Sequence, residues 1–246
     1  ILLLAAWPVR AQQRSLLYQV SSIAALLAGV YDGEMAVGDL KRHGDFGLGT
    51  FEGLDGEMIM LDGVCYQALA SGDVRVAPDN ATTPFAAVAF FRSEGACEVQ
   101  DVESLADLTG RLDRLLPTRD GFYAVRLSGD LDAVTFRSVP KQARPYKPLA
   151  EAIKGQQVHT ASKAKGDLAA VYCPPAAEGL NVVGWHIHYI NAGRTRGGHL
   201  LDVQAESLRV EASPLAGLQA QAPKSREYRE ARLCEDRSGE LERIER

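Results

Sequence analysis

The chain has 246 residues, with 27 Lys and Arg against 32 Asp and Glu and a formal net charge of -5. With 46% hydrophobic and 24% charged residues it has the composition of a folded globular protein, which excludes intrinsic disorder. A sequence isoelectric point near 5.6 offers no bulk attraction for phosphates, so no nucleic-acid partner is expected.

The apolar run Ile1 to Ala6 is too short to cross a bilayer, which needs about 20 residues. Together with the small-x-small triplet Val9-Arg10-Ala11 it reads as a signal-peptide remnant over residues 1–12. Export to the periplasm or the exterior is therefore expected, with a cytoplasmic location as the alternative. No other stretch is apolar enough to span a membrane, and no membrane partner is expected.

Ser21 to Val30 reads as a short helix capped by Ser21 or Ser22 and ended by Gly29 and Gly33. Thr50 to Leu54, Glu57 to Leu61 and Val64 to Leu69 are strand-like runs separated by Asp55-Gly56 and Asp62-Gly63. Asp-Gly between apolar runs is a hairpin signal, so a β-meander is predicted. Pro84 to Phe91 reads as a buried strand. Ser104 to Leu116 places Leu105, Leu108, Leu112, Leu115 and Leu116 on one helical face, with Ser104 as N-cap and Pro117 as stop. Phe122 to Leu127 and Ala133 to Val139 read as a strand pair joined by Ser128-Gly129-Asp130.

Pro140 to Pro148 holds three prolines and opens a polar stretch that ends near Gly166. It marks the predicted boundary between an N-terminal domain, 13–148, and a C-terminal domain, 149–246. Strands are predicted at Asp167 to Cys173, at Val182 to Ile190, and from Leu201 to Val210, with a partly helical tail over Arg226 to Arg246. The fold class is mixed α and β: two domains built on mixed sheets. Cys65, Cys97, Cys173 and Cys234 show no CxxC spacing, which excludes a zinc ribbon or a thioredoxin-type motif. In an exported protein one disulfide or four free thiols are both open.

Three of the five histidines fall in Gly184 to Asp202, GWHIHYINAGRTRGGHLLD. On a strand, His186 and His188 share one face with their Cβ atoms about 7 Å apart, close enough to chelate one ion. Ile187 and Tyr189 then face a packed side. Asn191 to Gly198 can reverse the chain and return His199 beside the other two. Three neutral imidazoles with an open fourth position are the usual form of a catalytic zinc site, so Zn2+ is the expected cofactor, on a strand pair of the C-terminal domain. His43 and His159 stand apart and read as surface or structural residues.

With these residues the chain resembles the alpha-acetolactate decarboxylase family. The resemblance rests on Tyr31-Asp32-Gly33, on His43 to Phe51 (HGDFGLGTF), on Leu54 to Met58 (LDGEM), on Phe136 to Gln142 (FRSVPKQ), on Pro145-Tyr146, on the histidine segment and on Glu242 to Glu245. It implies metal ligands at His186, His188 and His199, functional carboxylates at Glu57 and Glu245, and a functional arginine at Arg137. In the acid-rich tail Glu242 competes with Glu245. The resemblance also implies a C-terminal tail that folds back to the metal site, a homodimer, and conversion of (S)-2-acetolactate to (R)-acetoin and carbon dioxide.

The residue types suit that chemistry. Loss of carbon dioxide from a 2-hydroxy-3-keto acid leaves an enediolate, which needs an electron sink, and a Lewis-acidic metal is one. A bidentate arginine suits the substrate carboxylate. Glu57 and Glu245 would give or take the proton, and either could be an extra ligand. Two alternatives remain at this level: a zinc hydrolase using the same histidines, and a non-catalytic protein that binds a metal or a small acid.

Overall fold

The computed structural model describes residues 15–235 and 238–245, without the side chains of 238, 242, 243 and 245. The predicted signal remnant, and the side chains of Glu242 and Glu245, lie outside the described residues.

The strands, in chain order, are β1 (Leu17–Val20), β2 (Met35–Ala36), β3 (Phe46–Thr50), β4 (Glu57–Leu61), β5 (Val64–Ala68), β6 (Val74–Val76), β7 (Thr82–Thr83), β8 (Ala86–Ala89), β9 (Ala96–Val102), β10 (Phe122–Ser138), β11 (Gln157–Cys173), β12 (Gly184–Asn191), β13 (Gly197–Leu215) and β14 (Leu218–Gln221). The helices are α1 (Ile23–Leu27), α2 (Val37–Leu40), α3 (Leu105–Leu115), α4 (Leu149–Ala152), α5 (Arg226–Glu230) and α6 (Ser238–Glu245). Among the described residues the strands make a seven-stranded sheet in the order β14-β1-β8-β3-β4-β5-β6, a five-stranded sheet in the order β10-β11-β12-β13-β9, and a small β2-β7 pair. β10 also pairs with β13, so β10 to β13 close on themselves and leave fewer free edges. Pairing crosses the break predicted near Pro148: β9 and β10 join the second sheet, and β14 joins the first.

The two large sheets pack face to face. Leu48, Ile59, Leu61 and Ala87 of the first meet Ala124, Ala169, Val171 and Ile190 of the second. The far face of the first sheet buries Met58, Met60 and Val88 against Val37 and Leu40 of α2. The far face of the second buries Phe136, Ile187, Tyr189 and Leu200 with Leu108 and Leu112 of α3. The helix predicted from its leucine spacing is therefore α3, with the Ser104 hydroxyl accepting from the Asp107 amide at 3.2 Å. Helix α1 is capped by Ser22 in the same way, through the Ala25 amide.

Asp62 and Gly63 both have positive φ, 52° and 75°, as a tight β4–β5 hairpin requires. The expected strand over Thr50 to Leu54 is displaced. The strand ends at Thr50, and Glu52–Leu54 form a 3-10 turn in which Gly53 and Leu54 adopt positive φ. The expected hairpin at Ser128-Gly129-Asp130 does not form, because β10 runs straight through it. There the strand is paired on both sides, Ser128 to Asp167 and Arg209, and Asp130 to Lys165 and Ser207. Two ladders of backbone hydrogen bonds outweigh the turn propensity of three residues. The polar stretch before Gly166 holds α4 and then, from Gln157, the first half of β11, which is largely exposed and so lacks an apolar signature.

Candidate metal centre

Strand alternation builds the site. On β12, Ile187 and Tyr189 enter the core beside α3, and His186 and His188 take the opposite face, towards the first sheet. His199 on β13 is paired directly with His188. The hairpin that returns it needs glycine: a Cβ at Gly198 would lie 2.4 Å from the Arg137 carbonyl oxygen.

The β10–β13 register shifts by one between Thr135 and Phe136, and beyond that irregularity Arg137 lies opposite His199. Such bulges re-aim side chains beside functional sites. Phe136 enters the core of the second sheet, and its neighbour Arg137 turns towards the histidines.

The first sheet supplies Glu57 through β4. Ile59 and Leu61 face the second sheet, so Glu57, two residues earlier, does too. Gly56 just before it has φ +82°, and a Cβ there would lie 2.1 Å from the Ala68 carbonyl oxygen. The Asp-Gly step predicted as a hairpin turn instead seats the start of β4 against β5.

The ligand atoms of His186, His188 and His199 all lie within 4.8 Å of one another, and the three residues are buried. Nε2 of His186 and Nε2 of His188 are 3.1 Å apart. Two nitrogens each about 2.0 Å from one tetrahedral ion would be roughly 3.3 Å apart, so the pair is spaced to share an ion. Nδ1 of His188 lies 2.8 Å from the Met58 carbonyl oxygen. A carbonyl only accepts, so Nδ1 carries the proton and Nε2 keeps its lone pair for a metal.

Burial, with the nearby Arg137 guanidinium, lowers the His186 imidazole to about 3. Burial again, then Arg137 and the neighbouring imidazoles, holds His199 well below the usual value. His188 is lowered by burial, by His186 and by Arg137, against the opposing bond to Met58. All three are neutral near pH 7, the form that binds metal. The residues fit the ion that the sequence pattern implies.

Around this set stand a carboxylate and a guanidinium. Oε2 of Glu57 is 3.8 Å from His188 Nε2, and Oε1 is 3.9 Å from Arg137 Nη1. Glu57 and Arg137 are 9% and 5% exposed, so their opposite charges face each other largely out of water, where attraction is stronger. Nη2 of Arg137 donates to the Ile244 carbonyl oxygen at 3.1 Å, which brings the end of α6 back to the site. The structure thus gathers His186, His188, His199, Glu57 and Arg137. It leaves His43 stacked on Tyr18 and His159 bonded to the Ala70 carbonyl, both elsewhere.

One contributor escapes sequence reasoning: the Met58 contact is a backbone carbonyl and has no side-chain signature. The resemblance implies a tail that folds back to the site but does not single out Ile244, which is 5% exposed and packs with Ile23, Leu26, Phe85 and Val139.

A buried tri-imidazole group flanked by a carboxylate and an arginine, between two packed sheets, defines a metal centre suited to a small anionic substrate. Comparison with known proteins gives the family. The alpha-acetolactate decarboxylase family model matches residues 17–235. Alpha-acetolactate decarboxylase of Methanosarcina mazei is 40% identical over 230 residues, covering 94% of this chain and 80% of that protein. The Bacillus subtilis strain 168 enzyme of the same name is 33% identical over 222 residues, covering 90% and 87%. The crystal structure of alpha-acetolactate decarboxylase from that strain superposes with a TM-score of 0.90 at 32% identity, covering 94% of this chain and 99% of that one. The chain belongs to the alpha-acetolactate decarboxylase family, whose members are carboxy-lyases.

Proposed function

We propose that this protein decarboxylates 2-acetolactate to acetoin and carbon dioxide at the three-histidine centre, with zinc as its ion and (S)-acetolactate giving (R)-acetoin. The observation that carries the reading is the convergence of His186, His188 and His199 on Glu57 and Arg137 in a chain of this family.

His186, His188 and His199 would hold the ion. When bound, it supplies Lewis acidity, drawing electron density onto the ketone and hydroxyl oxygens of the substrate. Arg137 is placed to bind the substrate carboxylate through its planar fork. The bond from carbon 2 to the carboxylate breaks, its electron pair enters the adjacent carbonyl, and carbon dioxide leaves. The resulting enediolate takes one proton on carbon, and Glu57, facing the histidines from β4, is placed to deliver or relay it. Glu245 is assigned to the same proton, passing it between solvent and Glu57 or delivering it in Glu57's place, and the Arg137 bond to the Ile244 carbonyl supports its nearness. The apolar walls of Ile23, Leu26 and Phe85 exclude water, which strengthens the charged contacts inside. A homodimer is also proposed, from the family alone.

The test is chemical. Purified protein of measured metal content is given racemic 2-acetolactate, and acetoin is separated by chiral chromatography. Zinc near one per chain and (R)-acetoin are expected. Absence of acetoin from metal-replete protein overturns the function, and acetoin of the other hand or another resident metal overturns only that detail.

A further inference from the structure

Two cavities meet at the metal centre. The inner one is lined by Glu57, Arg137, His186 and His199 and has about 40 Å³ of free volume. That is room for roughly three waters, against nine non-hydrogen atoms in 2-acetolactate. The outer one is a groove of about 1270 Å³ running past α3 and Trp185. Ile23 and His199 line both. Helix α6 stands between them: Leu241 faces the groove, and Ile244 faces the inner cavity. Of the other lining residues, Gly49, Thr50, Glu57, Arg137, His186 and His199 lie on paired strands, which cannot move without breaking ladders.

We infer that α6 is a lid over the metal centre, that it lifts to merge the cavity with the groove and admit substrate, and that Ile244 is the positioning residue that latches it shut. The inference rests on the decarboxylase reading for its substrate, though not for the motion.

The latch has two parts. The Ile244 side chain is buried among Ile23, Leu26, Phe85 and Val139, all four of which also line the inner cavity with it. Its carbonyl takes a hydrogen bond from Arg137, the residue proposed to bind the substrate carboxylate. Closure therefore couples exclusion of water to placement of the guanidinium. Lids of this kind complete a site and shield it during the reaction.

The experiment has two arms on the full chain with its metal. In the kinetic arm, Ile244→Ala weakens closure. A fall in kcat/KM of at least about tenfold is expected, carried mostly by KM, with metal content and melting temperature unchanged. Ile244→Val should restore it to within about threefold. In the second arm, hydrogen exchange is followed with and without 2-hydroxy-2-methylpropanoate, which has the carboxylate and tertiary hydroxyl but no ketone and cannot decarboxylate. The α6 amides should exchange faster than those of β12, and should slow at least fivefold when the hydroxy acid is added. Kinetics for Ile244→Ala within twofold of the parent, a loss matched by loss of metal, or α6 amides as protected as β12 and indifferent to the hydroxy acid would each overturn the lid. Lack of turnover by the parent protein would overturn the decarboxylase reading, and the exchange arm would still decide the lid.

Discussion

Nδ1 of His188 and the carbonyl oxygen of Met58 lie 2.8 Å apart, one on each of the two large sheets. This bond fixes the ring and tautomer of His188. It also sets Glu57, the residue before Met58, at a defined distance from the ligand set. The relative position of the sheets, rather than either sheet alone, thus decides whether carboxylate and metal ligands meet.

Glu57→Gln keeps shape and removes the ionisable group. Metal content should stay near that of the parent protein, and kcat should fall by a factor on the order of 10²–10⁴, the usual yield of a positioned acid or base. Paired metal analysis and acetoin assay measure both. Full activity in this variant would remove Glu57 from the reaction.

Gly198→Ala tests the hairpin that returns His199. The added Cβ would collide with the Arg137 carbonyl, so the strands must part. We expect a loss of about 2–4 kcal/mol in unfolding free energy, as for other strained core substitutions, and weaker metal binding. At Gly63, where nothing lies within 4 Å of an added Cβ, alanine pays only for positive φ, about 1 kcal/mol. Urea unfolding of both variants gives the comparison; equal costs would contradict the close-approach argument.

The lowered imidazoles make the metal-free protein sensitive to acid. Their folded-state values lie below the unfolded value of about 6.5, so the unfolded chain binds more protons between the two. The stability they contribute is complete above pH 6.5 and is lost progressively as pH falls, for His186 towards about 3. Each should cost on the order of 1 kcal/mol per pH unit below 6. Urea midpoints of chelated protein at pH 7 and pH 5 test this. A midpoint that does not fall at pH 5 would mean that the imidazoles titrate normally.

All four cysteines are free thiols. Burial pushes Cys65 and Cys173 up to about 12, and Cys234 is exposed. Cys234 should react rapidly with a thiol reagent at pH 8, and Cys65 and Cys173 only after unfolding. Mass spectrometry of the labelled peptides decides it, and early labelling of Cys65 or Cys173 would count against their burial.

Much of this site is legible from local pattern. Alternation alone puts His186 and His188 on one face and Ile187 and Tyr189 on the other, and a glycine pair marks the turn to His199. The leucine spacing and Ser104 locate α3 almost to the residue. What local pattern misses is set by long-range pairing. β10 passes straight through Ser128-Gly129-Asp130 because strands flank it on both sides. β3 hides in a glycine-rich stretch, Phe46 to Thr50, that is held between β4 and β8. The approach of Glu57 and Arg137 depends on sheet packing and on a one-residue register shift. Only the family resemblance, and not spacing, singles them out in the sequence.

The central claim is that the three-histidine centre performs the decarboxylation. The most direct measurement is acetoin formation and metal content on the same samples of parent protein and His186→Ala. The parent should bind metal and form acetoin, lose the activity to a chelator, and regain it when the ion is restored. His186→Ala should lose both metal and rate together, the latter by a factor on the order of 10³, matching several kcal/mol of Lewis-acid stabilisation. Acetoin formed at the parent rate by metal-free His186→Ala would contradict the account.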